Sequence, residues 1–105
     1  MSPERALVHL LEGSHEIRDG VVLDPSGRRL GGSRTLAGPA AELLRQAGDA
    51  AEVEVGIGRG TVFAVRGATA AIAVVADRSA LSSVMRYDLR MAARELEPRA
   101  GKRAR

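Results

Sequence analysis

The pattern of hydrophobic and polar positions between residues 52 and 96 predicts three consecutive strands followed by a long helix. Glutamate and valine alternate from Glu52 to Val55, and Thr61 to Arg66 is again strand-like. In Ala70 to Ala76 both alternating sets of side chains are apolar, so we expect a central strand with neither face in water. The helix follows from apolar residues spaced three or four positions apart, namely Leu81, Val84, Met85, Leu89, Ala92, Ala93 and Leu96.

The first third of the chain predicts a short helix and a β-hairpin. Ser2 can cap a helix that has Pro3 at its first position. Gly20 to Asp24 and Arg28 to Gly32 are predicted to be strands. The sequence Asp24-Pro25-Ser26-Gly27 joins them and has the residue types of a type I turn.

Proline, glycine and serine indicate the ends of the other two helices. Pro39 suits the first turn of a second helix, which Gly48 is expected to end in a left-handed conformation. Ser79 is the predicted cap of the last helix, and Pro98 is predicted to end it, because the residue before a proline disfavours helical geometry. The predicted order of elements is therefore α-β-β-α-β-β-β-α.

Three short motifs accompany this order: Gly20-Val21-Val22-Leu23-Asp24-Pro25-Ser26-Gly27, Gly60-Thr61-Val62-Phe63-Ala64-Val65-Arg66 and Tyr87-Asp88-Leu89-Arg90. Together, over about residues 3 to 97, they resemble the roadblock/dynein light chain family, particularly its small bacterial members. The resemblance implies an α/β (α+β) sandwich of profilin-like fold, in which a five-stranded antiparallel sheet has helices on both faces. Family members commonly dimerise through the second helix and third strand, and they regulate or scaffold small Ras-like GTPases. The first helix is shorter here than is usual for the family.

Length and charge divide the chain into a domain and a tail. The 105 residues allow one domain with one core, which we assign to residues 1–98. Four of the 16 Lys and Arg residues lie in 99–105, and the remaining 12 stand against 13 Asp and Glu, so the domain is nearly neutral. The segment 99–105 is predicted to be a disordered basic tail. The absence of cysteine excludes disulfides and thiolate chemistry.

The distribution of apolar residues argues against targeting to a membrane. The first 20 residues contain four acidic residues and no long apolar run, unlike a signal peptide. The longest nearly apolar segment, Gly67 to Ala76, is about half of the roughly 20 residues that a membrane-spanning helix needs. We therefore expect a cytoplasmic protein without a membrane span.

The glycine-rich corner Gly56-Ile57-Gly58-Arg59-Gly60 invites comparison with a phosphate-binding loop. Such loops open directly into a helix, whereas a strand is predicted to follow here. A P-loop also needs a lysine after its glycines, and the chain's one lysine is Lys102. We interpret the corner as a hairpin with backbone conformations that favour glycine, and a partner-contacting loop is the alternative.

His9, His15, Glu12 and Glu16 are the residues that most resemble a metal cluster. The spacing of the two histidines matches no common ligand pair, and a solvated helix face explains all four residues. We therefore expect no metal, no cofactor and no catalytic residues, and we predict that the chain is not an enzyme.

The second helix and the strand from Glu52 to Ile57 form the candidate dimer interface. In a monomer the helix would simply cover the sheet, whereas an outer strand needs protection from edge-to-edge pairing. Association of two copies meets both needs, and the family resemblance favours it. The predicted interface residues are Leu36, Ala40, Leu43, Leu44, Ala47, Val53, Val55 and Ile57.

Arg86, Arg90 and Arg94 form a row of like charges, four residues apart, on the last helix. An ordinary solvated face accounts for such a row, and so does contact with an acidic partner. Together with Arg59 in the glycine-rich corner, these arginines are the candidate partner contacts.

The leading functional hypothesis is a homodimeric, non-enzymatic regulatory or scaffolding module that binds and modulates a small Ras-like GTPase or a related signalling partner. The alternative is a small-molecule-sensing or assembly module of profilin-like fold, since a fold does not determine a function. A third hypothesis is weak contact of the basic tail with nucleic acid or an anionic surface, although the chain has no aromatic platform for base stacking.

Overall fold

The computed structural model describes residues 2–58 and 60–96. The elements are α1 (Pro3–Glu12), β1 (Ile17–Leu23), β2 (Arg29–Gly32), α2 (Arg34–Gln46), β3 (Glu52–Ile57), β4 (Gly60–Arg66), β5 (Ala71–Asp77) and α3 (Ser82–Leu96). Their order is the one that the sequence predicts. Pro98 and the predicted tail 99–105 lie outside the described residues.

The five strands form one antiparallel sheet in the order β2-β1-β5-β4-β3. The predicted central position of the apolar strand is confirmed, because β5 pairs with β1 on one side and with β4 on the other. β3 is the edge strand on the β4 side, as predicted for Glu52 to Ile57.

The sheet separates two hydrophobic cores, because successive side chains of a strand point to opposite faces. On one face α1 and α3 cover a core that includes Val22, Phe63, Ile72, Met85 and Leu89. On the other face α2 covers a core that includes Val21, Leu23, Leu36, Ala40 and Leu44. The expectation of helices on both faces is therefore confirmed.

The turn between β1 and β2 forms as its residues predict. The backbone N–H of Gly27 donates to the carbonyl of Asp24 at 2.9 Å, and Gly27 has a φ of +94°, which favours glycine. The carboxylate of Asp24 accepts hydrogen bonds from the backbone N–H groups of Ser26 and Arg28, both at 2.9 Å. These bonds stabilise the reversal.

Two predicted helix starts are wrong. α2 begins at Arg34, because the hydroxyl of Ser33 accepts a hydrogen bond from the N–H of Leu36 at 3.1 Å and caps the helix. Pro39 consequently lies inside α2 and not in its first turn. α3 begins at Ser82, since Ser79 belongs to a turn in which the N–H of Ala80 donates to the carbonyl of Asp77. The left-handed conformation expected for Gly48 is confirmed by its φ of +67°.

The glycine-rich corner is a β-hairpin, as predicted, but its glycines serve a different purpose. Ile57 pairs with Gly60 across the reversal. The glycine-favouring backbone conformations that the sequence predicts for the corner are not seen at Gly56 and Gly58, neither of which has a positive φ. Gly60 is needed for close approach instead, since a Cβ there would lie 2.2 Å from the carbonyl oxygen of Ala76 on β5.

Candidate interaction surface

The edge strand β3 exposes apolar side chains next to an unpaired backbone edge. It is hydrogen-bonded to β4, and no other described strand pairs with its outer edge. Val55 is 37% exposed and Ile57 is 44% exposed, while Val53 is half-buried against the core under α2. An open edge with apolar side chains is a template for pairing with another strand.

The apolar area continues from β3 onto β4. Val55 lies directly opposite Val62, so both side chains point to the face of the sheet that carries α2. Beyond them, Ile57 and Val75 line a shallow cavity of about 210 Å³ at the end of the sheet. We call Val53, Val55, Ile57 and Val62 the β3 surface.

Only some of the α2 residues predicted for a dimer interface keep surface in solvent. Leu36, Ala40 and Leu44 are buried against the chain's own sheet, so they have little surface left for a second copy. The apolar stripe of α2 thus forms the second core, and the place of these three residues in a dimer interface stays a prediction. Leu43 and Ala47 are half-buried and keep part of their surface in solvent.

The row of arginines on α3 is engaged within the chain. The Arg86 guanidinium donates to Glu54 at 2.8 Å, and the Arg90 guanidinium donates to Glu52, also at 2.8 Å. The hydroxyl of Ser82 also donates to Glu54, at 2.7 Å. α3 is thereby joined to the edge strand by charged hydrogen bonds on the face opposite the β3 surface.

The candidate partner arginines are therefore not equivalent. Arg86 and Arg90 face carboxylates of β3 and are ion-paired within the chain, and their contact with a partner stays a prediction. Arg94 is exposed at the end of α3, and Arg59 lies outside the described residues. The spacing of these residues could have predicted the pairing. Glutamates two residues apart lie on one face of a strand, and arginines four residues apart lie on one face of a helix.

The potential metal ligands of residues 2–58 and 60–96 are dispersed over the structure. In this part of the chain no three His, Asp or Glu side chains come together as metal ligands. The Nδ1 of His9 lies 3.9 Å from a carboxylate oxygen of Glu95, and both side chains are exposed. Every buried side-chain nitrogen or oxygen of the described residues has a hydrogen-bond partner.

A second surface feature is a cleft of about 510 Å³ between α2 and the turns at one end of the sheet. Its floor is apolar, with Leu23, Leu44 and Ala71, and its rim carries Asp24 and Glu42. Both acids already have partners: hydrogen bonds from the side chain of Ser26 and the backbone of Arg28 lower the pKa of Asp24, and hydrogen bonds from Arg45 and Gln46 lower the pKa of Glu42.

Among the described residues no helix is both long enough and apolar enough to cross a membrane.

Comparison with known proteins identifies the fold through structure and not through sequence. No protein-family model matches the chain, and no curated protein matches it either. A Roadblock/LC7 domain from Streptomyces avermitilis superposes with a TM-score of 0.76 at 19% identity, covering 91% of this chain and 95% of that domain.

Two further structures extend the comparison. An MglB protein with a tetrameric arrangement has a TM-score of 0.68 at 19% identity and covers 88% of this chain and 82% of its own. Profilin II from Acanthamoeba castellanii has a TM-score of 0.61 at 15% identity, covering 90% of this chain and 96% of its own. At these identities the comparisons concern the fold, and the chain has the roadblock fold that its motifs predict.

Proposed function

We propose that this chain, on the fold of roadblock/LC7 domains, is a homodimeric protein-interaction module that binds and modulates a small Ras-like GTPase or a related signalling partner. The observation that carries the proposal is the β3 surface, where an unpaired strand edge lies beside the exposed side chains of Val55 and Ile57. The family that the sequence resembles commonly dimerises through this strand and acts on such GTPases.

The dimer part of the proposal rests on β3 and on the exposed flank of α2. Pairing of two β3 edges would satisfy backbone groups that otherwise face solvent and would cover Val55 and Ile57. Leu43 and Ala47 are the α2 residues that keep surface for the second copy. The tetrameric arrangement of an MglB protein supports association of this fold with itself, in that protein.

The partner-binding part of the proposal rests on the positive charge of arginine side chains. Arg94 is an exposed cation on α3, and Arg59 is the predicted contact in the β3–β4 corner. Arg86 and Arg90 contribute to the same side of α3 while paired with Glu54 and Glu52. Such a module acts by positioning its partner's mobile segments, without supplying a reacting group.

A pull-down with small GTPases from the same genome tests the partner. Each GTPase is loaded with GDP or with a non-hydrolysable GTP analogue and is passed over the immobilised chain. We expect retention of one GTPase in one nucleotide state, weakened by Arg94→Glu. The matched control is Arg34→Glu, which makes the same change in charge at the exposed start of α2, on the other face of the sheet. Absence of retention in both nucleotide states would contradict the proposal.

The cleft beside α2 favours a second candidate function, a small-molecule sensor. Its volume of about 510 Å³ and its apolar floor suit a small ligand, as in other concave binding sites. The internal pairing of Asp24 and Glu42 counts against it, because these acids have partners without a ligand. A metabolite that raises the melting temperature of the wild-type chain but not of Ala41→Trp, which fills the cleft, would favour this candidate.

A further inference from the structure

The backbone groups along β3 alternate between those that bond to β4 and those that face the outer edge. The N–H of Arg66 donates to the carbonyl of Ala51 at 2.8 Å, so these two residues form a hydrogen-bonded pair of the β3–β4 ladder. Hydrogen-bonded and non-hydrogen-bonded pairs alternate along an antiparallel ladder, so every second residue after Ala51 bonds to β4. The residues between them, Glu52, Glu54 and Gly56, therefore direct their backbone N–H and C=O groups to the outer edge.

This alternation limits how a second copy can pair with the edge of β3. Two identical strands that associate symmetrically are related by a two-fold axis, which makes the pair antiparallel. The outward-directed residues of one copy must lie opposite the outward-directed residues of the other, because only these have free backbone groups at the edge. Since they are every second residue, the axis passes through a residue and not between two. The centres available in the middle of β3 are Val53, Glu54, Val55 and Gly56.

Charge disfavours two of these centres. An axis at Glu54 places that carboxylate opposite its own copy, and an axis at Val53 places Glu52 opposite Glu54 of the second copy. Like charges directly opposite each other on neighbouring strands are destabilising. An axis at Val55 avoids this repulsion, because Glu54 then lies opposite Gly56, which has no side chain.

The apolar side chains on the α2 face also favour an axis at Val55. Val55 then lies opposite Val55 of the second copy, and Val53 lies opposite Ile57, which is 44% exposed in the single chain. An axis at Gly56 would pair Val55 with Ile57 but would move Val53 beyond the end of the opposing β3. Val55 is therefore the centre that matches every apolar residue of the strand with another.

The same arrangement gives Gly56 a role. Among the described residues, no atom lies within 4 Å of the position that a Cβ on Gly56 would take, and its φ is not positive, so the single chain does not require glycine there. Glu54, which would lie opposite Gly56 in the second copy, accepts hydrogen bonds from Arg86 at 2.8 Å and from Ser82 at 2.7 Å. Opposite Cβ atoms are about 4.5–5.5 Å apart, so a side chain at position 56 would crowd this group.

We infer that two copies pair their β3 strands about a two-fold axis at Val55, so that Glu54 of each copy lies opposite Gly56 of the other. The inference rests on the proposed association through β3 and adds the register of that association. The apolar pairs between Val53 and Ile57 flank the axis on the α2 face. On the α3 face, the ion pairs between Glu54 and Arg86 of the two copies lie on either side of the axis, and both α3 helices lie on one face of a continuous sheet.

Single cysteines test this register in the full-length chain, which has no cysteine of its own. On the axis, the Cα atoms of a non-hydrogen-bonded pair are about 4.5 Å apart, which a disulfide can bridge. One position away, a residue and its own copy are diagonal neighbours about 7–8 Å apart, which is too far. Under mild oxidation we therefore expect Val55→Cys to double its mass on a non-reducing gel, while Glu54→Cys and Gly56→Cys keep the mass of one chain.

A mixing experiment tests the flanking pairs. Val53→Cys and Ile57→Cys should each stay at the mass of one chain when oxidised alone. Unfolded together in urea, refolded and then oxidised, the two variants should cross-link to each other. Leu30→Cys is the matched control for random collisions, because Leu30 is similarly exposed, at 41%, but lies on β2 at the opposite edge of the sheet, and it should not cross-link.

Light scattering of each reduced variant separates failure of the register from failure of the proposed association. Dimers that cross-link through Glu54→Cys or Gly56→Cys, and not through Val55→Cys, would overturn the register and leave association through β3 in place. Dimers that no cysteine on β3 cross-links would overturn the register and move the association to another surface. A wild-type chain of single mass would contradict both the register and the association on which it rests.

Discussion

Gly60 opens β4 at a point where the backbones of β4 and β5 come unusually close. A Cβ at this position would lie 2.2 Å from the carbonyl oxygen of Ala76, and a backbone atom cannot move aside as a flexible side chain can. Gly56, four residues earlier in the same hairpin, has nothing within 4 Å of its Cβ direction. The two glycines of this corner therefore differ in whether they tolerate replacement by a residue with a Cβ atom.

We predict that Gly60→Ala lowers the free energy of unfolding by about 2 kcal/mol or more, because β4 must move away from β5. Gly56→Ala should change it by no more than about 0.5 kcal/mol, as an exposed substitution that creates no clash. Urea unfolding of both variants measures the difference. Equal stabilities for the two variants would show that β4 and β5 are not this close.

The carboxylate of Asp24 gives the turn between β1 and β2 a pH dependence. Hydrogen bonds from the Ser26 side chain and from the backbone of Arg28 lower its pKa below the ordinary value of 3.8. A lowered pKa in the folded state means that the stabilisation is complete above pH 3.8 and is lost as the pH falls through the folded value.

We therefore predict that Asp24→Asn is less stable than the wild type near neutral pH and that the two converge in acid below the ordinary pKa. Urea midpoints measured from pH 6 down to pH 2.5 check this expectation. A difference that stays constant over the whole range would mean that the carboxylate charge does not hold the turn.

The sequence predicts some of these residue-scale features and not others. The Asp24-Pro25-Ser26-Gly27 turn can be predicted from the sequence, because its hydrogen bonds join residues within the turn itself. The role of Gly60 cannot be predicted in this way, since the steric constraint comes from Ala76, which lies 16 positions later in the chain and on a neighbouring strand. Hydrogen bonds within a turn correspond to a recognisable sequence pattern. The close approach of two backbones requires a glycine, but the sequence around that glycine does not show why it is required.

At the scale of elements, α2 contains a proline that its helical geometry does not favour. Pro39 lies inside α2 and lacks the N–H that would bond to the carbonyl of Thr35. The sequence rule that places proline in the first turn of a helix puts the start of this helix too late. Ser33 overrides it, because its hydroxyl caps the true start.

We predict that Pro39→Ala stabilises the chain by about 1–2 kcal/mol, the gain in helix energy less the greater freedom of the unfolded chain. For a domain of this size that corresponds to a rise in melting temperature of roughly 4–16 °C. Thr35→Ala, an exposed change in the same helix, should shift the free energy by less than about 0.5 kcal/mol. A lower melting temperature for Pro39→Ala would mean that the proline is required for the path of α2.

The ion pairs between α3 and β3 allow a second prediction at this scale. Arg86→Glu places two carboxylates together where Glu54 now pairs with a guanidinium, and it should cost about 0.5–1 kcal/mol, since the pair is partly exposed. The exchanged pair, Arg86→Glu with Glu54→Arg, should recover most of that loss. Urea unfolding of the wild type, of Arg86→Glu, of Glu54→Arg and of the exchanged pair gives the coupling energy, and no recovery in the exchanged pair would contradict a direct interaction.

At the scale of the whole molecule, the sequence predicts the element order, the central strand and the outer strand. Each of these follows from one property of one segment: β5 is apolar on both sides, and β3 alternates Glu and Val. Which side chains face the core, the solvent or a second copy does not follow from a single segment. Whether Leu44 faces the sheet or a second copy, and whether Arg86 faces solvent or Glu54, depends on how separate elements are placed.

The account's central claim is that two copies of this domain associate through β3. Multi-angle light scattering of the wild type at micromolar concentration should give twice the chain mass of 11.0 kDa. Val55→Lys, which places a charge on the edge, should give the mass of one chain. Leu30→Lys is the matched control, because Leu30 is 41% exposed against 37% for Val55 but lies on the opposite edge strand β2, and it should remain a dimer. A wild-type chain of single mass, or a Val55→Lys chain that stays dimeric while Leu30→Lys dissociates, would contradict the claim.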